Sequence, residues 1–125
     1  MQPKTSLTQV PAYITRDGSE IREMMHPQVH GSALGVARQS LAEATVLPGQ
    51  RTVRHRHAVT EELYHITAGR GMMTLGERCF EVAEGDTVCI PPGTAHCIEN
   101  IGSSKLIVLC ACSPAYAHED TELLE

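Results

Sequence analysis

Residues 41–112 read as short runs of at most eight residues, each with glycine or proline near one end or both, and this punctuation constrains the fold more than any other feature of the chain. The segments are 41–46, 52–57, 62–67, 71–75, 78–82, 87–90, 96–99 and 105–112. None of useful length keeps the 3.6-residue apolar period of an amphipathic helix. Short runs bounded by turn residues at this spacing predict strands of a sandwich or barrel, so the expected class is all-β. Pro48-Gly49 reads as a turn dipeptide, and Gly76-Glu77 fits a two-residue hairpin connection. The first 40 residues carry weaker signals. Asp17-Gly18 marks a turn, and His26-Pro27 is expected to break any helix there. Residues 21–25 fit either a short strand or a helical turn. The only helix candidate is the stretch after Pro114. A chain of 125 residues predicts one domain, here an N-terminal arm (1–40), a barrel (41–113) and an acidic tail (114–125). The arm could add a strand to the barrel or to a partner.

Charge and composition exclude several functions. The net charge is −5, and the tail holds four acidic residues (Glu119, Asp120, Glu122, Glu125) without a basic one. The body is therefore almost neutral, with no basic stripe to neutralise phosphates, and no nucleic-acid partner is expected. No apolar run approaches the roughly 18 residues of a membrane helix. The first residues lack an apolar signal core, so a cytoplasmic protein is expected. The five cysteines are then most simply free thiols, and none forms a C-x-x-C pair. Cys110 and Cys112 would share one strand face as small core residues. Against four aromatic residues stand seven histidines, and three of these carry the chemistry.

His55 and His57 are two apart, which in a strand points both imidazoles to one face. Glu62 follows after a short turn, and His96 follows the rigid Pro91-Pro92-Gly93 connection. Three neutral imidazoles and one carboxylate suit a divalent transition metal ion, with Mn or Fe favoured and Ni, Co or Zn also compatible. A six-coordinate ion would keep two positions open. One carboxylate against a divalent charge leaves the centre positive, which predicts a small anionic substrate or ligand.

At these residues a family resemblance enters. Gly49, His55, His57, Glu62 and Gly69 are spaced as in the first cupin motif, and Gly85, Pro91, Gly93, His96 and Asn100 as in the second. The chain thus resembles a small single-domain microbial cupin. The resemblance implies a jelly-roll barrel, a double-stranded β-helix. It also implies one metal ion bound inside by His55, His57, Glu62 and His96, and a homodimer. The ligand set is similar to that of cupin dioxygenases and oxalate-degrading enzymes. A metalloenzyme of dioxygenase or oxidoreductase type is therefore the first expectation. A metal-dependent isomerase or lyase and a non-catalytic small-molecule binding module are the alternatives. Fold alone does not decide among them.

Alternation extends the reading to neighbours. Tyr64 shares the face of Glu62 and is either a catalytic proton donor or substrate partner, or a packing residue of the pocket wall. Ile66 and Ile98 share the faces of Glu62 and His96 and are expected to line the pocket. His65 and Cys97 point the other way. Arg54 and Arg56 should face outward. Asn100 should bond backbone in a turn rather than bind metal. Tyr116 and His118, in the tail, could form a lid over the barrel mouth or lie in solvent.

Overall fold

Along β3 (Ser40–Val46) buried and half-exposed residues alternate without a break, the signature of a strand with one face on a core. The computed structural model describes residues 2–125 and repeats this logic in eleven strands. The others are β1 (Ala12–Ile14), β2 (Glu20–Met25), β4 (His55–His57), β5 (Glu61–Ala68), β6 (Arg70–Leu75), β7 (Arg78–Ala83), β8 (Thr87–Ile90), β9 (His96–Asn100), β10 (Leu106–Ser113) and β11 (Thr121–Leu123). One helix, α1 (Pro27–Leu34), joins β2 to β3. The strands form a six-stranded sheet in the order β1-β2-β3-β10-β5-β8 and a five-stranded sheet in the order β11-β4-β9-β6-β7. Every pairing is antiparallel. This is the jelly roll expected for the chain.

Side-chain size along the inner face decides where the barrel is solid and where it is hollow. In register across β3, β10 and β5 lie Ala44, Val108 and Ile66, then Ala42, Cys110 and Tyr64, then Ser40, Cys112 and Glu62. At one end Ile66, Met73 and Leu106, all fully buried, close the core. Burying each such side chain contributes about 1.5–3 kcal/mol. At the other end serine, alanine and cysteine leave room, and a cavity opens there. Glycine keeps the sheets close to their connections. At Gly69, φ is +86°, and a Cβ would stand 2.6 Å from the Lys105 carbonyl oxygen, so no other residue fits without displacing backbone.

Three expectations are corrected. Pro27 does not break a helix but starts one. It occupies the first turn, where its missing N–H costs nothing, and the His26 Nδ1 accepts the Gln28 amide at 3.1 Å as an N-cap. The helix ends at Gly35 with φ +82°. The tail is not an α-helix. It makes one 3-10 turn (His118–Asp120) and then β11, which pairs with β4. Of the segment 52–57 only His55–His57 is strand. Residues 21–25, left between two readings, fall in β2, and the arm extends the chain's own sheet through β2 on β3. Among the described residues no helix is long and apolar enough to cross a membrane.

Candidate metal centre

The two sheets gather three histidines and set Glu62 beside two of them. Strand β4 carries His55 and His57 inward, with Arg56 between them exposed. His96 opens β9 directly opposite His55. The Gly93 amide donates to the His57 carbonyl at 2.6 Å and so pins the proline turn that delivers His96. Glu62 comes from β5 in the facing sheet. The ligating nitrogens of His55, His57 and His96 lie within 4.8 Å of one another. Glu62 Oε1 stands 3.3 Å from His57 Nε2 and 3.6 Å from His96 Nε2.

Hydrogen bonds on the far side of each ring set which nitrogen faces inward. His55 Nδ1 donates to the Val53 carbonyl at 2.6 Å and His96 Nδ1 to the Thr94 carbonyl at 2.9 Å. His57 Nδ1 meets Thr121 Oγ1 at 3.0 Å. That hydroxyl spends its own proton on the Ala117 carbonyl at 3.0 Å, so it accepts from the imidazole. In neutral rings the three Nε2 lone pairs then gather together, with Glu62 Oε1 beside those of His57 and His96 and Asp17 Oδ2 beside that of His55. Glu62 Oε1 and His96 Nε2 are buried without a hydrogen-bond partner. Lone pairs and an anion converging in a buried space repel unless a cation sits among them. The residues present therefore fit a divalent ion, and their outer hydrogen bonds are of the kind that orient metal-binding histidines.

Without a metal ion, protonated imidazoles would supply the positive charge that Glu62 calls for. Burial pushes the Glu62 carboxyl up, but His57 and His96 more than offset it and hold the group at about 2. The Cys112 thiol donates to the other carboxylate oxygen at 3.4 Å. Burial and the neighbouring His96 charge lower His55, which favours the neutral, metal-binding form. Burial, reinforced by Glu62, pushes the Tyr64 phenol well up, so it remains an O–H donor.

Tyr64 and Ile98 line the cavity together with His55, His57 and Glu62, while His96 is fully buried behind them. Tyr64 stacks edge-on to His96 with ring centroids 5.9 Å apart. Ile66 is fully buried in the closed end of the core and does not line the cavity, which corrects its expected place. It packs instead in the closed core with Met73 and Leu106, which are likewise fully buried. His65 bonds Thr87 on the outer face at 2.8 Å, and Arg56 pairs with Glu122 in solvent at 2.8 Å. Asn100 bonds the carbonyls of Val46 and Ser104. Tyr116 lines the cavity, and its hydroxyl meets His118 at 3.0 Å.

Three residues were not foreseen. Asp17 places Oδ2 3.7 Å from His55 Nε2, where the sequence suggested only a turn. Glu23 lies on the cavity wall, buried to 8% exposure. Thr121 orients His57 from the tail. The alternation of Ser19, Ile21 and Glu23 was a signal that these residues share a face, but nothing in it told which way the face looked.

Comparison with known proteins follows the same lines. A family model described as the cupin domain matches residues 42–112. An uncharacterised protein of Methanocaldococcus jannaschii is 51% identical over 122 residues, covering 98% of this chain and 94% of its own. The mannose-1-phosphate guanylyltransferase RfbM of Salmonella typhimurium is 34% identical over 76 residues, and the match spans 61% of this chain but 16% of that enzyme. The crystal structure of a predicted oxalate decarboxylase from Thermotoga maritima superimposes with a TM-score of 0.74 over 87% of this chain and 96% of its own. At 18% identity that likeness speaks for the fold alone. A family match over more than half the length, on a jelly roll with three histidines gathered inside it, makes this chain a member of the cupin family.

Proposed function

We propose that the protein is a mononuclear metal-dependent enzyme acting on a small organic molecule held between the two sheets. The observation that carries this reading is the meeting of three imidazole Nε2 atoms and Glu62 Oε1 in a buried space, two of these atoms without partners, at the wall of a cavity. An ion bound there would supply a Lewis acid and, as Mn or Fe, a redox centre. The chain supplies the rest. His55, His57 and His96 hold their lone pairs forward, and Glu62 adds the negative donor. Tyr64 keeps its proton and can give a hydrogen bond to a bound molecule. Ile98, Val108, Ala42 and Ala44 make the wall apolar and exclude water.

The reaction type we favour is oxygenase or related oxidoreductase chemistry, since this donor set suits redox-active ions. A metal-dependent isomerase or lyase is the second reading. It is favoured by Asp17, a carboxylate placed beside His55 where it can take up or return a proton. An anionic substrate is disfavoured by the charge of the cavity wall. Asp17 and Glu23 line the same cavity as Glu62, and no lysine or arginine does.

Oxygen dependence separates the readings. The metal-loaded protein is incubated with a panel of small carboxylates, enediols and polyols, in air and under argon. Substrate consumption coupled to oxygen uptake is the expected result. Turnover that persists under argon would replace it with isomerase or lyase chemistry. Tight binding without any product would leave a binding module.

A further inference from the structure

The cavity has a second polar pole that the metal centre does not use. Glu23 lies three strands from Glu62 across the six-stranded sheet, about 14 Å of backbone at about 4.8 Å per strand; both residues line the same cavity, and Glu23 also borders two clefts beside it. Its Oε1 accepts the Tyr13 hydroxyl at 2.8 Å. Its Oε2 is buried and has no hydrogen-bond partner. A buried carboxylate oxygen left without a donor is costly, and such a group in a native cavity calls for a ligand that supplies the donor. The surrounding wall offers the hydroxyls of Tyr13, Thr15, Ser19, Ser40 and Tyr116. With three carboxylates, neutral imidazoles and no lysine or arginine among the described lining residues, even a divalent ion leaves the cavity formally negative.

We propose that Glu23 is the second anchor of the ligand site, and that the site takes a neutral molecule carrying hydroxyl groups in preference to a carboxylate anion. One end of the molecule faces the histidine centre, and a hydroxyl at the other donates to Glu23 Oε2. The small residues Ser40, Ala42 and Ala44 keep the path between the two poles open. This rests on the reading of the barrel as a metal-dependent small-molecule site. It differs from that reading in fixing the substrate's charge and the residue that selects it.

The test uses the full chain loaded with Mn2+, its metal content measured first. Two probes share one four-carbon skeleton: L-threitol, with hydroxyls throughout, and L-threonate, which ends in a carboxylate. Paramagnetic broadening of their proton lines by the bound ion reports binding, even when it is weak. The expected result is tighter binding of threitol than threonate, and a shift of that preference by about tenfold toward threonate in Glu23→Gln, which removes the charge but keeps the shape. Glu23→Asp, which keeps the charge, should keep the preference even if both probes bind less tightly. Tighter binding of threonate to the wild-type protein, an unchanged preference in Glu23→Gln, or no binding of either probe would overturn the assignment. A protein that takes up no Mn2+ would sink the metal-centre reading and this one with it.

Discussion

The orientation of one imidazole depends on one hydroxyl in the tail. Thr121 donates to the Ala117 carbonyl and accepts from His57 Nδ1, so the proton order of the chain leaves only Nε2 free to bind an ion. Loss of such an outer partner lowers metal affinity by about 10–100-fold in known sites. Thr121→Val keeps the shape and removes the hydroxyl, so it should weaken metal binding by at least about tenfold. Thr121→Ser should restore it. A competition titration against a chromophoric chelator measures both, and equal affinity in all three proteins would show that Thr121 does not position His57. Residues of this kind were not readable in the sequence. His55, His57, Glu62 and His96 announced themselves by spacing, because strand alternation alone puts i and i+2 on one face. Asp17, Glu23 and Thr121 reach the site only through the way the arm and the tail cross the barrel, which local pattern does not encode.

At the scale of elements, the strands between residues 41 and 112 were legible because glycine and proline mark most of their ends, and β4, which has neither beside it, was read too long. The helix and the last strand were not. α1 rests on a histidine cap and a proline at its first turn rather than on an apolar period, and it buries none of its side chains. β11 has three residues and becomes a strand only by pairing with β4. Asp120 fastens the preceding turn by accepting the amides of Val59 and Thr60 at 3.0 and 3.1 Å. Arg16 holds the same segment by donating to the carbonyls of His118 and Thr121. The exposed Arg56–Glu122 pair is worth at most about 1 kcal/mol, while each backbone or buried hydrogen bond contributes about 0.5–1.5 kcal/mol and the tail makes several. Glu122→Gln should therefore leave the melting temperature nearly unchanged. Truncation after Tyr116 should lower it by several degrees and weaken metal binding, since Thr121 goes with it. Calorimetry of the two variants decides, and a larger loss from Glu122→Gln than from truncation would reverse the ranking.

Across the whole molecule, the buried centre ties stability to pH. His55 titrates below its ordinary value of 6.5 because burial, and then the His96 charge, disfavours the cation. The unfolded chain therefore binds its proton first, and the stability from His55 is present above pH 6.5 and lost as pH falls through the lower folded value. Glu62, held at about 2 against an ordinary 4.5, adds stability that is lost only as pH falls from 4.5 toward 2. The metal-free protein should thus soften in two stages on acidification, the histidine stage first. A denaturant series from pH 7.5 to 3 would show it, and stability that rose between pH 7 and 5 would contradict the account. Metal binding needs the same neutral imidazoles, so a bound ion should steepen the first stage.

The central claim is that this barrel holds one metal ion at His55, His57, Glu62 and His96. Elemental analysis of the purified protein tests it most directly, made on the wild type and on His55→Ala and His96→Ala after each is shown to fold. The account predicts close to one divalent transition metal ion per chain in the wild type, with Mn or Fe leading, and a small fraction of that in each variant. Full metal content in both variants, or none in a wild-type protein purified without chelator and offered Mn2+, Fe2+ and Zn2+, would contradict it.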